Sequence, residues 1–221
     1  MKQLLSTVAA ALVTCVTLVS AHAQEIQGDA KAGATKNAMC IGCHGIVGYQ
    51  ASFPEVHKVP KISGQGAKYI ASALNAYKKG ERKHPTMRGI AASLTDQDIA
   101  DLAAFYSTSG VAEGAAALPA AAPASGKAAE LVAKGNCTSC HGASFSAPVD
   151  PTYPRIAGQY DDYLFVALKS YKNETSAQVG RSNAIMGGVA KQFSNAELKE
   201  LAAYVGSLSS DLKTVPENRF R

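Results

Sequence analysis

The chain of 221 residues contains no tryptophan, five cysteines, four methionines and five histidines. Beyond the N-terminus it has no apolar run long enough to span a bilayer. Four of the cysteines fall in two short clusters, and the fifth, Cys15, lies in the apolar N-terminal stretch. No cysteine is left over for a disulfide framework or for completing a four-ligand zinc site. Proline and glycine gather in loops, and no segment shows the two-residue alternation of a half-buried strand. These absences leave an alanine-rich helical protein, 47% apolar, long enough for one or two small domains.

The N-terminus reads as a secretory signal. Lys2 is followed by a mostly apolar stretch from Leu4 to Val19, and Ala21-His22-Ala23 has the small-residue form of a cleavage site. Residues 1–23 are therefore expected to be removed on export to the periplasm, taking Cys15 and Met1 with them.

The remaining cysteines form CIGCH at 40–44 and CTSCH at 137–141. Cys-x-x-Cys-His is the attachment motif of c-type haem. Cys40 with Cys43, and Cys137 with Cys140, carry thiols about one helical turn apart to add to the two vinyl groups. His44 and His141 then face the iron. A dithiol redox site would not need the histidine, and zinc would find only three ligands per motif.

The duplication extends beyond the motifs. Pro60, Gly64, Gln65, Tyr69, Leu74 and Tyr77 recur 94 positions later as Pro154, Gly158, Gln159, Tyr163, Leu168 and Tyr171, and the motifs themselves are 97 apart. The final segments, 94–108 and 193–207, match at an offset of 99. The expected organisation is a first domain over 24–112, an Ala/Pro-rich linker over 113–126 and a second domain over 127–221. Each half is expected to hold a helix entering the CxxCH motif, starting at Asp29 and near Lys127. An amphipathic middle helix and a final helix opened by a capping box should follow, with Thr95 and Asp98 or Ser194 and Glu197 in the boxes.

A sixth iron ligand must come from elsewhere. Met39 adjoins Cys40 and cannot reach the opposite face. Met87 and Met186 follow their histidines by 43 and 45 residues, each in a polar loop before the last helix. Domain two has no histidine besides His141, so the repeat assigns His44 with Met87 and His141 with Met186. In domain one His84 and His57 remain rivals. His/Met ligation favours ferrous iron relative to His/His and leaves no open position for substrate, which points to electron transfer.

In its order of CxxCH, P-x-[IL]-x-G-Q, a tyrosine- and leucine-bearing helix, a methionine loop and a final leucine- and tyrosine-bearing helix, the chain resembles the dihaem cytochrome c4 family over about residues 28–208. The resemblance implies an all-α protein of two tandem class I cytochrome c domains with two covalently bound haem c groups. It implies electron transfer to a membrane oxidase or a related periplasmic partner. It also implies that the carbonyls of Pro60 and Pro154 accept hydrogen bonds from His44 and His141. The loop from Phe53 to Val59 departs from the expected Gly- and Asn-rich run.

The formal net charge of +5 falls to +4 without Lys2. Residues 78–88 concentrate Lys78, Lys79, Arg82, Lys83 and Arg88 against Glu81, and form a candidate docking patch beside Met87. Residues 172–186 offer only Lys172 and Arg181 against Glu174. On charge alone the first haem should have the higher potential and electrons should leave from domain one. Redox protein partners are expected, namely a membrane oxidase, a quinol-oxidising complex or a dehydrogenase, with peripheral membrane association in view. Nucleic acid is not expected at so small a net charge. The alternative role is a cytochrome subunit of a larger dehydrogenase or flavocytochrome. A dihaem enzyme is the least favoured class, because a peroxidatic haem needs accessible iron.

Overall fold

A computed structural model describes residues 26–217 except 113, 115–117, 119 and 173–175. The expected signal segment, residues 1–23, and part of the expected linker, residues 113–126, thus lie outside the described residues. The first half runs α1 (Ala30–Lys36), α2 (Ala38–His44), β1 (Gln50–Ala51), β2 (His57–Lys58), α3 (Ala67–Lys79), β3 (Arg82–Lys83), α4 (Pro85–Ala92) and α5 (Asp96–Thr108). The second runs α6 (Gly126–Lys134), α7 (Thr138–His141), α8 (Asp161–Ser170), β4 (Gly180–Arg181), α9 (Ala184–Ala190) and α10 (Asn195–Ser207).

Local chemistry sets the helix starts. The Asp29 carboxylate accepts from the backbone N–H groups of Lys31 and Ala32, satisfying donors that the first turn leaves unpaired. Both expected capping boxes are present, Thr95 with Asp98 at α5 and Ser194 with Glu197 at α10. The expected single helix into Cys40 is instead two, broken at the fully buried Asn37, whose side chain donates to Glu217 at 2.8 Å.

Each half buries its own core. In the first, Ile70 on α3 meets Ile99, Leu102, Ala103 and Tyr106 on α5, with Leu94 beside them. In the second, Leu164 and Ala167 on α8 and Leu198, Leu201, Ala202 and Val205 on α10 are buried, with Phe145 and Leu131 below 2% exposure. Helix α1 crosses α5 so closely that a Cβ at Gly33 would lie 2.1 Å from the carbonyl oxygen of Asp101.

Two features were not expected. Short strands exist, and one pair joins the halves: β3 runs antiparallel to β4 with Arg82 opposite Arg181. These two-residue strands carry no alternation that a sequence pattern could reveal. The C-terminal tail also returns to domain one, where Lys213 N–H donates to the Ser63 carbonyl at 2.9 Å.

Candidate haem sites and the seam between them

Helix α2 carries Cys40 and Cys43 and ends at His44, while α7 starts after its N-cap Cys137, carries Cys140 and ends at His141. The four cysteines form no disulfide. Burial pushes the Cys40 thiol up to about 11 and raises that of Cys137, so free thiols there stay protonated at neutral pH.

The Nδ1 atom of His44 lies 2.8 Å from the Pro60 carbonyl oxygen, and that of His141 lies 3.0 Å from the Pro154 carbonyl oxygen. A carbonyl can only accept, so each Nδ1 carries the proton and each Nε2 keeps its lone pair. Burial holds both imidazoles below the usual histidine range, against the opposing pull of the proline carbonyls. The result is a neutral, oriented ring with Nε2 available to a metal.

Met87 and Met186 sit in the first turns of α4 and α9, not in loops as expected. The caps explain this. His84 Nδ1 accepts from Met87 N–H at 3.4 Å, and Asn183 Oδ1 accepts from Met186 N–H at 2.9 Å. Pro85 opens α4 at a position where a missing N–H costs nothing. The rival ligand His84 thus occupies the place that Asn183 holds in the other copy. Desolvation, reinforced by His57, Arg82 and Arg181, lowers the His84 ring to about 4, which keeps it neutral and able to accept. His57 is buried in β2, with Nδ1 2.9 Å from the Glu55 carbonyl oxygen.

The five basic residues of 78–88 do not share one surface. Lys78 Nζ donates to the Leu94 carbonyl at 2.6 Å, and its repeat partner Lys172 donates to the Phe193 carbonyl at 2.7 Å. Both close the turn before the last helix. Lys83 reaches across to the Ser176 carbonyl at 2.7 Å. Arg82 turns inward, donating to Tyr69 Oη at 3.1 Å and to Tyr163 Oη at 2.7 Å. Lys79 and Arg88 are exposed.

Arg82 and Arg181 make the seam between the halves cationic. Arg181 donates to the same Tyr163 hydroxyl at 3.1 Å, and the guanidinium groups stack on Tyr77 and Tyr171 respectively. Burial alone would raise the Tyr163 phenol, but Arg181 and Arg82 outweigh it and bring it down to about 8. The buried Arg82 Nε has no hydrogen-bond partner among the described residues. Two guanidinium groups on one phenol repel each other and need an anion. Haem brings two carboxylates per group, so this seam fits the cofactor. The four thiols, the two free Nε2 atoms and the capped methionines fit it as well.

A family model for cytochrome c matches twice, over residues 30–109 and 125–209. Fold and sites together define a helix-rich protein of two tandem cytochrome c domains that binds two covalent haem c groups. The chain is 32% identical to cytochrome c4 of Pseudomonas aeruginosa, over 82% of this chain and 89% of that protein. A solved cytochrome c4 of Acidithiobacillus ferrooxidans is similar with a TM-score of 0.59 and 28% identity, over 78% of this chain and 99% of that one. The chain therefore belongs to the dihaem cytochrome c4 family, and its activity is electron transfer. It is also 29% identical to a thiosulfate dehydrogenase electron acceptor of Stutzerimonas stutzeri, over 86% of this chain and 90% of that protein.

The repeated G-Q dipeptides were visible in the sequence, but their role across the seam was not. Gln65 Nε2 donates to the Arg155 carbonyl at 2.9 Å, while Gln65 Oε1 accepts from Arg155 N–H at 2.9 Å. Gln159 does the same to Lys61, donating to its carbonyl at 2.8 Å and accepting from its N–H at 2.9 Å. The long side chains return the pattern: Lys61 Nζ donates to the Gly158 carbonyl at 2.7 Å and Arg155 Nη1 to the Gly64 carbonyl at 2.8 Å. Gly64 and Gly158 have φ of +82° and +60°, a region open to glycine. A Cβ would lie 2.6 Å from the Asp211 oxygen at the first and 2.4 Å from Ser210 Cβ at the second.

Proposed function

We propose that this cytochrome is an exported, periplasmic carrier, not an enzyme, passing single electrons through two His/Met-ligated haems to a membrane terminal oxidase. The ligand sets are His44 with Met87 and His141 with Met186. Cys40, Cys43, Cys137 and Cys140 supply the thioether links, and Pro60 and Pro154 orient the histidines. The observation that carries this reading is the pairing of repeated features, a proline-bonded histidine and a methionine on a capped helix in each domain. A saturated iron exchanges electrons without binding substrate. The chain's own contribution is then to set each potential and to present a surface to partners. Among the described residues no helix is long and apolar enough to cross a membrane, so association with a membrane complex is peripheral in this scheme.

Docking is assigned to domain one, around Lys79 and Arg88. Exposed apolar side chains Ile46, Val47, Phe53 and Val56 follow the His44 motif in the same domain. Electrons would then enter at domain two and leave from domain one. The likeness to a thiosulfate dehydrogenase electron acceptor favours a second reading, in which the protein is the cytochrome partner of a dehydrogenase. Stopped-flow mixing separates the two. Rapid oxidation of the reduced protein by purified terminal oxidase supports the first. Rapid reduction by a dehydrogenase, with no oxidation by oxidase, supports the second.

A further inference from the structure

The peptide bond between Pro60 and Lys61 is shared between the domains. Its carbonyl oxygen accepts from His44 Nδ1 at 2.8 Å, and its N–H donates to Gln159 Oε1 of domain two at 2.9 Å. The peptide bond between Pro154 and Arg155 repeats this with the domains exchanged. Its carbonyl accepts from His141 Nδ1 at 3.0 Å, and its N–H donates to Gln65 Oε1 of domain one at 2.9 Å. Both glutamines are 4% exposed, so water does not compete for these bonds.

We infer that Gln159 and Gln65 are crossed positioning residues, each tuning the reduction potential of the haem in the opposite domain through that peptide. The inference rests on His44 and His141 being the proximal ligands. Amide resonance moves charge from nitrogen to oxygen. An acceptor on the N–H draws that charge further and makes the carbonyl oxygen a stronger acceptor. Consecutive hydrogen bonds strengthen one another by about 10–30% in this way. A stronger acceptor at Nδ1 gives the imidazole more anionic character and makes Nε2 a better donor. Oxidised iron gains more from that donation than reduced iron, so the bond from Gln159 lowers the potential of the domain-one site, and that from Gln65 lowers the potential of the domain-two site.

Gln65 also accepts from Gly66 N–H at 2.9 Å and Gln159 from Tyr160 N–H at 3.1 Å, which hold the two amides in place. Lys61 and Arg155 reach instead to Gly158 and Gly64, so their charges lie off the histidine–proline bonds.

The test uses the full-length holoprotein and spectroelectrochemistry. Met186→Ala first displaces the domain-two wave to low potential and isolates the other. In that background Gln159→Leu should raise the domain-one wave, and Gln65→Leu should leave it in place. In a Met87→Ala background the roles should exchange. The proton NMR signal of His44 Nδ1–H should move upfield in Gln159→Leu alone, while that of His141 stays. If Gln159→Leu does not fold, the isosteric Gln159→Glu keeps an acceptor on Lys61 N–H and should lower the domain-one wave. No displaced wave in Met186→Ala removes Met186 as a ligand, and the His44 and His141 Nδ1–H signals then decide the proposal by themselves. A displaced wave with equal responses to both glutamine changes, or with none, overturns the proposal alone.

Discussion

His84 shows how one residue can be read two ways. From its position three residues before Met87 it is a possible iron ligand, yet its Nδ1 atom accepts the Met87 N–H and starts α4. Asn183 performs that task in the other domain. His84→Asn should therefore keep the far-red methionine–iron absorption at full strength, whereas His84→Ala should lose roughly 1 kcal/mol of stability, the usual worth of a cap. Met186→Ala should remove about half of that absorption, because a thioether ligand produces it and one of two sites would lose it. Absorption that survives Met186→Ala unchanged would mean that another side chain binds the iron. Lys36 and Asp101 make a different kind of residue-scale prediction. Asp101 is buried at 2% exposure and accepts from Lys36 at 2.6 Å and from Asp29 N–H at 2.8 Å. The hydrogen bond from Lys36, then that from Asp29, holds its carboxyl below the ordinary range. A depressed folded value stabilises the protein above the unfolded value of about 3.9 and loses that contribution as the pH falls through the folded one. Asp101→Asn should then lower Tm at pH 7 and make the acid limb of the Tm–pH profile less steep.

At the scale of elements, the contact between α1 and α5 has no slack. Alanine in a helix interior is better than glycine by up to about 1 kcal/mol. At Gly33, however, the new Cβ would lie 2.1 Å from a backbone oxygen and 2.7 Å from Phe105 Cβ, so the helices must part. Gly33→Ala should cost about 1–3 kcal/mol in denaturant unfolding. The helices were legible in the sequence because their signals are local. Asp29, Thr95 with Asp98, and Ser194 with Glu197 mark starts, and the apolar spacing of α3, α5, α8 and α10 marks faces. The histidine–proline bonds were foreseen through the family resemblance. The break at Asn37 was not legible, since its side-chain amide donates to Glu217, 180 positions away. The helices holding Met87 and Met186 were hidden because each is short and opens on a cap of unusual type or in a polar context. Arg82 was read as a surface charge, since no local pattern tells a solvated arginine from one stacked on Tyr77.

For the whole molecule, the inward turn of Arg82 and the engagement of Lys83 narrow the charge difference between the domains. Arg82 is matched across the seam by Arg181, and Lys78 by Lys172 in an identical task. Lys79 and Arg88 have Asn173 and Gly187 at the corresponding places in domain two. If these two cations steer an acidic partner, Lys79→Glu with Arg88→Glu should slow association with oxidase by roughly tenfold at low salt and flatten its salt dependence. Lys191→Glu with Lys199→Glu, reversing the same charge on domain two, should change it far less. Equal losses in both double variants would remove the case for docking at domain one. The glutamine pairing has one more consequence. Gln65 and Gln159 bind main-chain groups of Arg155 and Lys61, so they make no demand on the side chains there and keep the same geometry whether the halves share a chain or not. Severing the 113–126 segment would remove no bond of that pairing. The segment acts as a tether that raises the effective concentration of one half around the other. Two separate copies of the halves could dock by the same contacts, at the cost only of finding each other.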